Sequence, residues 1–199
     1  MRYEDIVNNV NIFGLEQSVT EQTETGEEVM ERTLEPAGKG RKDERFMNGI
    51  IVQFDLTFTN KAWVQAERYH FLDFVSSQST MQKITKFDLD DAYIEYTDPR
   101  IIEIMKEKTK AYNELTEDIR KLKEEGKDTT TLNDLAKVRY LEILYSNPAG
   151  FRMTARMTTN YRQLKTIYHQ RKSHRLPEWR AFCEWIETLP NSEFITYSE

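Results

Sequence analysis

Eight basic side chains stand between Gly150 and Arg180: Arg152, Arg156, Arg162, Lys165, Arg171, Lys172, Arg175 and Arg180, against Glu178 alone. A guanidinium is charged at every accessible pH and donates parallel hydrogen bonds to a carbonyl edge, a carboxylate or a phosphate. The segment therefore suits an anionic ligand, most simply a nucleotide. Its local charge is +7 within a chain of net charge -6, which leaves -13 on the remainder. That asymmetry focuses positive potential on one place. It argues against a general nucleic-acid-binding module, for which no binding motif is present either. There is no phosphate loop of the GxxxxGK type, no nucleophile elbow and no HExxH.

Elements able to position these residues follow from periodicity. Phe151, Met153, Ala155 and Met157 alternate with Arg152, Thr154, Arg156 and Thr158, so a strand puts both arginines and both threonines on one face. Asn160 can cap a helix in which Leu164, Ile167, Tyr168 and Arg171 share a stripe. An arginine continuing an apolar stripe points inward and must find an acceptor there. Pro177 opens a last helix with Trp179, Phe182, Trp185, Ile186 and Leu189 on one face, stopped by Pro190.

Upstream, Ile50 to Phe58 alternates as a strand with Val52, Phe54, Leu56 and Phe58 facing the core. Lys61 to Val75 reads as a helix running into a Ser-rich turn. Asp98-Pro99 starts a helix that ends at Gly126, and a second runs from about Leu132 to Tyr145, closed by Asn147-Pro148. The two form a hairpin for packing or an oligomer interface. Residues 16–45, rich in Glu, Thr, Gly and Lys, read as a mobile loop.

With 199 residues and 38% hydrophobic content the chain suits one domain spanning 1–199. No apolar run approaches the ~20 residues of a membrane span. The start, Met1-Arg2-Tyr3-Glu4-Asp5, is not expected to act as a secretory signal. A single cysteine, Cys183, excludes an internal disulfide and a cysteine-based zinc site, no metal is expected, and the expected location is cytoplasmic. Cys183 shares a helix face with Trp179 and Ile186, which makes it a buried structural thiol.

The run Asn160-Tyr161-Arg162-Gln163-Leu164, followed by Arg171, His174 and Pro177-Glu178-Trp179 and preceded by Pro148, resembles the flavin-dependent thymidylate synthases. That family carries N-x-R-x-L at a strand-to-helix entry and then a segment shaped like L-R-x3-H-A-Q-W-E. Its other signature, R-H-R, seven residues and Ser, is matched in part by Arg68-Tyr69-His70 and the stretch Ser76-Ser77-Gln78-Ser79. Only the first arginine is kept, the serine is one residue late, and the acidic residue inside the motif is missing. The chain is thus similar to a divergent member of the family, of the sort phage genomes carry.

The resemblance implies an α+β fold, a mostly antiparallel sheet packed against long helices, assembled as a homotetramer with FAD and dUMP in grooves shared between subunits. It implies methylation of dUMP to dTMP, with methylenetetrahydrofolate and NADPH as co-substrates and no enzyme nucleophile. By position Arg171 matches the arginine that polarises the uracil ring; the alternative is a structural ion pair. Asn160 and Arg162 match dUMP contacts, Asn160 being equally suited to an ordinary cap, and Arg156 and Arg152 could add phosphate contacts or line a subunit surface. Arg68, Tyr69 and His70 stand where flavin-binding arginines belong, and His174 matches a flavin-adjacent histidine or is a solvated side chain. Ser76, Ser77, Gln78 and Ser79 either cradle phosphate or form a surface loop. A relative of the same fold that binds nucleotide without redox activity is the alternative function.

Overall fold

The computed structural model describes residues 1–20, 43–78 and 83–197. Most of the loop expected at 16–45, and Ser79, lie outside them. The chain divides into two compact units, one of Met1–Phe58, Ala62–Ser77 and Thr154–Glu199, the other of Thr59–Lys61 and Gln78–Met153.

The first unit is built on strands β1 (Val7–Phe13), β2 (Ile51–Thr59), β3 (Asp73–Ser77) and β4 (Arg152–Asn160), in the order β1-β2-β4-β3. β1 runs antiparallel to β2, and β3 antiparallel to β4. β2 alternates as its sequence requires, with Val52, Phe54, Leu56 and Phe58 fully buried. Onto that face packs helix α6 (Pro177–Glu187), once α1 (Leu15–Thr20), α2 (Asn60–Ala66), α3 (Pro99–Glu124), α4 (Thr130–Ser146) and α5 (Tyr161–Arg171) are counted before it. Phe58 meets Trp179 edge-on at 4.9 Å and Phe54 meets Trp185 at 4.7 Å. Such aromatic pairs add to the hydrophobic area they bury. Asn160 caps α5 through its side chain, accepting from the Gln163 amide at 2.8 Å. Tyr161 is fixed at both ends: its amide donates to the Ile50 carbonyl and its hydroxyl to that of Pro190 at 2.6 Å. A short last helix, α7 (Glu193–Thr196), follows.

The second unit holds the α3–α4 hairpin. Asp98 caps α3 by accepting from the Arg100 amide at 2.9 Å, and Gly126, with φ of 74°, ends it as a left-handed residue. Ile84, Leu89, Tyr93, Met105, Ile143 and Phe151 form this unit's core. Salt bridges along the two helices lie on exposed faces, where each contributes little.

Two sequence expectations are corrected here, and one strand, β1, was not among those expected. The helix expected from Lys61 to Val75 stops at Ala66, and Asp73–Ser77 is strand β3 paired to β4. The break is local: Phe71 takes a φ of 63°, which no helix accommodates, and Thr159 Oγ1 donates to its carbonyl at 2.6 Å. Within the expected loop at 16–45, residues through Thr20 continue a helix and Asp43–Asn48 form a 3-10 turn. Strand β1 carries no alternation, because Asn8, Asn9 and Asn11 interrupt it and a register shift falls among them.

Two substitutions separate core from edge. Phe58→Ala should lower unfolding free energy by about 3–5 kcal/mol in a denaturant titration. Val75→Ser, on an exposed strand position, should change it by no more than about 0.5 kcal/mol.

Candidate functional site

Arg171 is the last residue of α5, and groups from outside its own turn determine how its side chain lies. Its Nε–H donates to the Tyr69 hydroxyl at 2.6 Å, and an Nη1–H donates to Gln65 Oε1 at 2.9 Å. The Tyr69 hydroxyl passes its own proton to Gln170 Oε1 at 2.9 Å. The guanidinium carbon lies 4.9 Å from the Trp179 ring centre and 5.3 Å from that of Tyr69. Both acceptors are neutral, and among the described residues no carboxylate forms an ion pair with Arg171. The positive charge is half-buried, held by amide, phenol and aromatic faces, and not neutralised. That is the electrostatic condition of a site for an anion or a polarised carbonyl, and not of a structural salt bridge.

His174 adjoins this cluster, its ring 6.5 Å from Trp179. Its Nδ1 accepts from the Leu176 amide at 3.1 Å, which requires that nitrogen to be unprotonated. Desolvation, then the charge of Arg171, hold its pKa below the ordinary histidine value of 6.5. His169 is likewise lowered, by desolvation first and then by Lys172 and Lys165. Cys183 is buried, and desolvation pushes its thiol up to about 12. No thiolate nucleophile exists there at neutral pH.

The remaining expected residues fall into separate groups. Arg68 and His70 flank Tyr69 in the turn after α2 and are exposed, whereas the Tyr69 hydroxyl is engaged by Arg171. Ser76 and Ser77 lie on the exposed strand β3, not in a turn, and Ser76 is the cross-strand partner of Arg156. Arg156 is turned inward onto its own unit: it donates to the Asn9 carbonyl at 2.5 Å and to Asn11 Oδ1 at 2.7 Å, and pairs with Asp55 at 3.3 Å. A phosphate contact or a place on a subunit surface was expected of it, and the asparagines of β1, which carry no periodic signal, with Asp55, are what engage its guanidinium. Arg152 donates to the Asp91 carbonyl at 2.9 Å within the second unit. Gln78 is exposed and belongs to that unit.

Asn160 is a cap in fact, and Arg162 sits in the first turn of α5, half-buried and without an ion-pair partner among the described residues. Arg162 and Arg171 are nine residues apart on one helix, so they lie about 13.5 Å apart along the axis and on opposite faces. One chain does not bring them to the same atom of a small ligand. Gln65 and Gln170 were missed by sequence reasoning; a glutamine in a short helix or on an exposed face has no pattern that marks it.

The architecture is that of an α+β protein with a four-stranded sheet and packed helices, and solved structures share it. No protein-family model matches the chain, and no curated protein matches it. The fold is similar to that of a crystal structure of flavin-dependent thymidylate synthase ThyX from Helicobacter pylori complexed with FAD and dUMP, with a TM-score of 0.58, 15% identity, and coverage of 94% of this chain and 96% of that one. A second structure of thymidylate synthase X from Helicobacter pylori with FAD and dUMP gives a TM-score of 0.52 at 14% identity, covering 95% of this chain and 94% of that one. The chain thus shares the fold of these enzymes nearly end to end. No helix among the described residues is long and apolar enough to cross a membrane.

The histidines supply a pH signature. For His174 and His169 the folded pKa lies below the unfolded value of about 6.5, so the unfolded chain binds protons first as pH falls. Stability is present above 6.5 and declines as pH drops from there through the folded values. NMR titration of the histidine ring protons should give both midpoints below 6.5, and denaturation midpoints should fall on acidification less steeply in His174→Gln than in the wild type.

Proposed function

We propose that this protein binds a pyrimidine nucleotide against Arg171 and, with FAD, methylates dUMP to dTMP, taking the methyl carbon from methylenetetrahydrofolate and reducing equivalents from NADPH. The observation that carries this reading is the Arg171 guanidinium, half-buried, pre-oriented and paired with no carboxylate among the described residues, in a chain that shares the fold of flavin-dependent thymidylate synthases. An uncompensated guanidinium is suited to a uracil edge. It donates to the ring carbonyl and stabilises the negative charge that grows there when the N3 proton leaves, without itself changing protonation state.

Arg162 and the capped N-terminus of α5 offer a second anion-holding surface, suited to phosphate by charge and by the N–H groups at the helix start. Because this surface faces away from Arg171 on the same helix, the reading takes a homotetramer in which one subunit supplies Arg171 and another Arg162 to each nucleotide.

Arg68 and His70, exposed in the turn after α2, present one permanent cation and a neutral donor, and Ser76 and Ser77 on β3 offer hydroxyls suited to the phosphate of the nucleotide. Arg68 and His70 fit the pyrophosphate of FAD in exposure and donor chemistry, and they are the ones that would hold it. FAD bound there would supply the electron pair that the methyl transfer needs. Arg171 would hold the uracil ring, and the Trp179 and Tyr69 rings beside it would limit water at the ring edge. Cys183, buried as a neutral thiol, plays no part.

A second reading has a specific observation behind it. With Tyr69 and His70 where the family motif has His and Arg, and with the Tyr69 hydroxyl turned onto Arg171, the flavin side keeps one guanidinium. A nucleotide-binding protein without redox activity fits that arrangement.

A visible spectrum separates the two readings. On the first, the purified protein, or protein given FAD and desalted, shows flavin absorbance bands and restores growth to a thymidine-requiring strain; Arg68→Ala should weaken FAD binding about tenfold. A protein that stays colourless and takes up no FAD, yet binds dUMP in a calorimeter, selects the second.

A further inference from the structure

The phenol of Tyr69 stands between two side chains of α5 and bonds to both. It accepts from Arg171 Nε–H at 2.6 Å and donates to Gln170 Oε1 at 2.9 Å. A hydroxyl that gives its own proton to an amide oxygen is a better acceptor on its lone pairs, so the bond to Gln170 strengthens the one to Arg171. Gln65 holds the Nη1 corner of the same guanidinium at 2.9 Å, and among the described residues Nη2 has no acceptor. The guanidinium is thereby held at two of its three nitrogens, Nε and Nη1.

We infer that Tyr69 is a positioning residue: it orients the Arg171 guanidinium through its hydroxyl and does not stack on a flat cofactor ring. The inference rests on the reading that Arg171 meets a pyrimidine nucleotide. Three features of the site carry it. The hydroxyl is engaged on both its donor and acceptor sides. The Tyr69 ring lies 5.8 Å from Trp179 at an interplanar angle of 65°, an edge contact within the cluster. Removing the hydroxyl leaves Arg171 Nε–H without its acceptor while the ring and its packing remain, because Tyr69→Phe deletes one oxygen.

The experiment is a double-mutant cycle on dUMP affinity by calorimetry, with wild type, Tyr69→Phe, Arg171→Ala and the double variant. Tyr69→Phe should weaken dUMP about fivefold, a part of what the charge-assisted bond to the guanidinium is worth. In the Arg171→Ala background the same change should cost less than about twofold, since its effect runs through the guanidinium. An unchanged affinity in Tyr69→Phe, or an equal loss in both backgrounds, overturns the inference. The Arg171 Nε–Hε NMR signal gives an independent readout that needs no ligand. Its hydrogen exchange should be at least about fivefold faster in Tyr69→Phe than in wild type, and equal rates overturn the positioning role. Gln170→Leu, an exposed substitution at the far end of the same chain of bonds, should move this exchange in the same direction and replaces Tyr69→Phe should the latter not fold. A wild type that binds no dUMP overturns the nucleotide reading, while the exchange rates still decide the geometry.

Discussion

A positive charge that leaves water must be given other partners. Arg171 is half-buried and, among the described residues, no carboxylate pairs with its charge. Withdrawing such a charge from solvent costs several kcal/mol unless hydrogen bonds and polarisable faces stand in for the lost water. Here the stand-ins come from three places in the sequence: Gln65 on α2, Tyr69 in the turn after it, whose hydroxyl is itself bonded to Gln170, and Trp179 on α6. The ending of α2 at Ala66, the left-handed Phe71 and the pinning of its carbonyl by Thr159 place Tyr69 where this requires. An ion pair would have been the simpler solution for stability. The absence of one among the described residues is what distinguishes a site from a brace.

The framework that holds these groups is hydrophobic and ordinary in its physics. The inward face of β2 is fully buried under the aromatic face of α6, and Trp179 serves both sides of that contact: one neighbour is Phe58 of the sheet, another the guanidinium of Arg171. The core and the site therefore share a residue, so loosening the α6 packing must also loosen the guanidinium's aromatic wall. Tyr161, tied to Ile50 and Pro190, and Asn160, capping α5, set where that helix begins and hence where Arg171 ends it.

Much of this was legible in the chain because periodicity reports burial directly. The alternation of residues 50–58 and 151–158, the cap at Asn160, the Asp98-Pro99 start and the inward lean of Arg171 all follow from side-chain direction on a regular element. The helix expected beyond Ala66 failed because its apolar residues fit a 3.6 repeat equally well as a turn and a strand, and a single positive φ at Phe71 decides between them. Strand β1 was invisible because its asparagines give no alternation. The partners of Arg171 were only half legible. Its inward direction was readable, but the neutral groups that receive it, Gln65 and Tyr69, are chosen by tertiary proximity. Tyr69, read from the motif as a cofactor contact, is drawn instead to the arginine by a contact across 102 positions of sequence.

The central claim is that the unneutralised guanidinium of Arg171 is where a pyrimidine nucleotide is read. A crystal structure of the protein grown with dUMP tests it most directly. The account predicts the uracil edge within hydrogen-bonding distance of the Arg171 guanidinium, with the Tyr69 and Gln65 contacts to that side chain retained. Nucleotide seated elsewhere, with Arg171 unchanged and turned away from it, would contradict it.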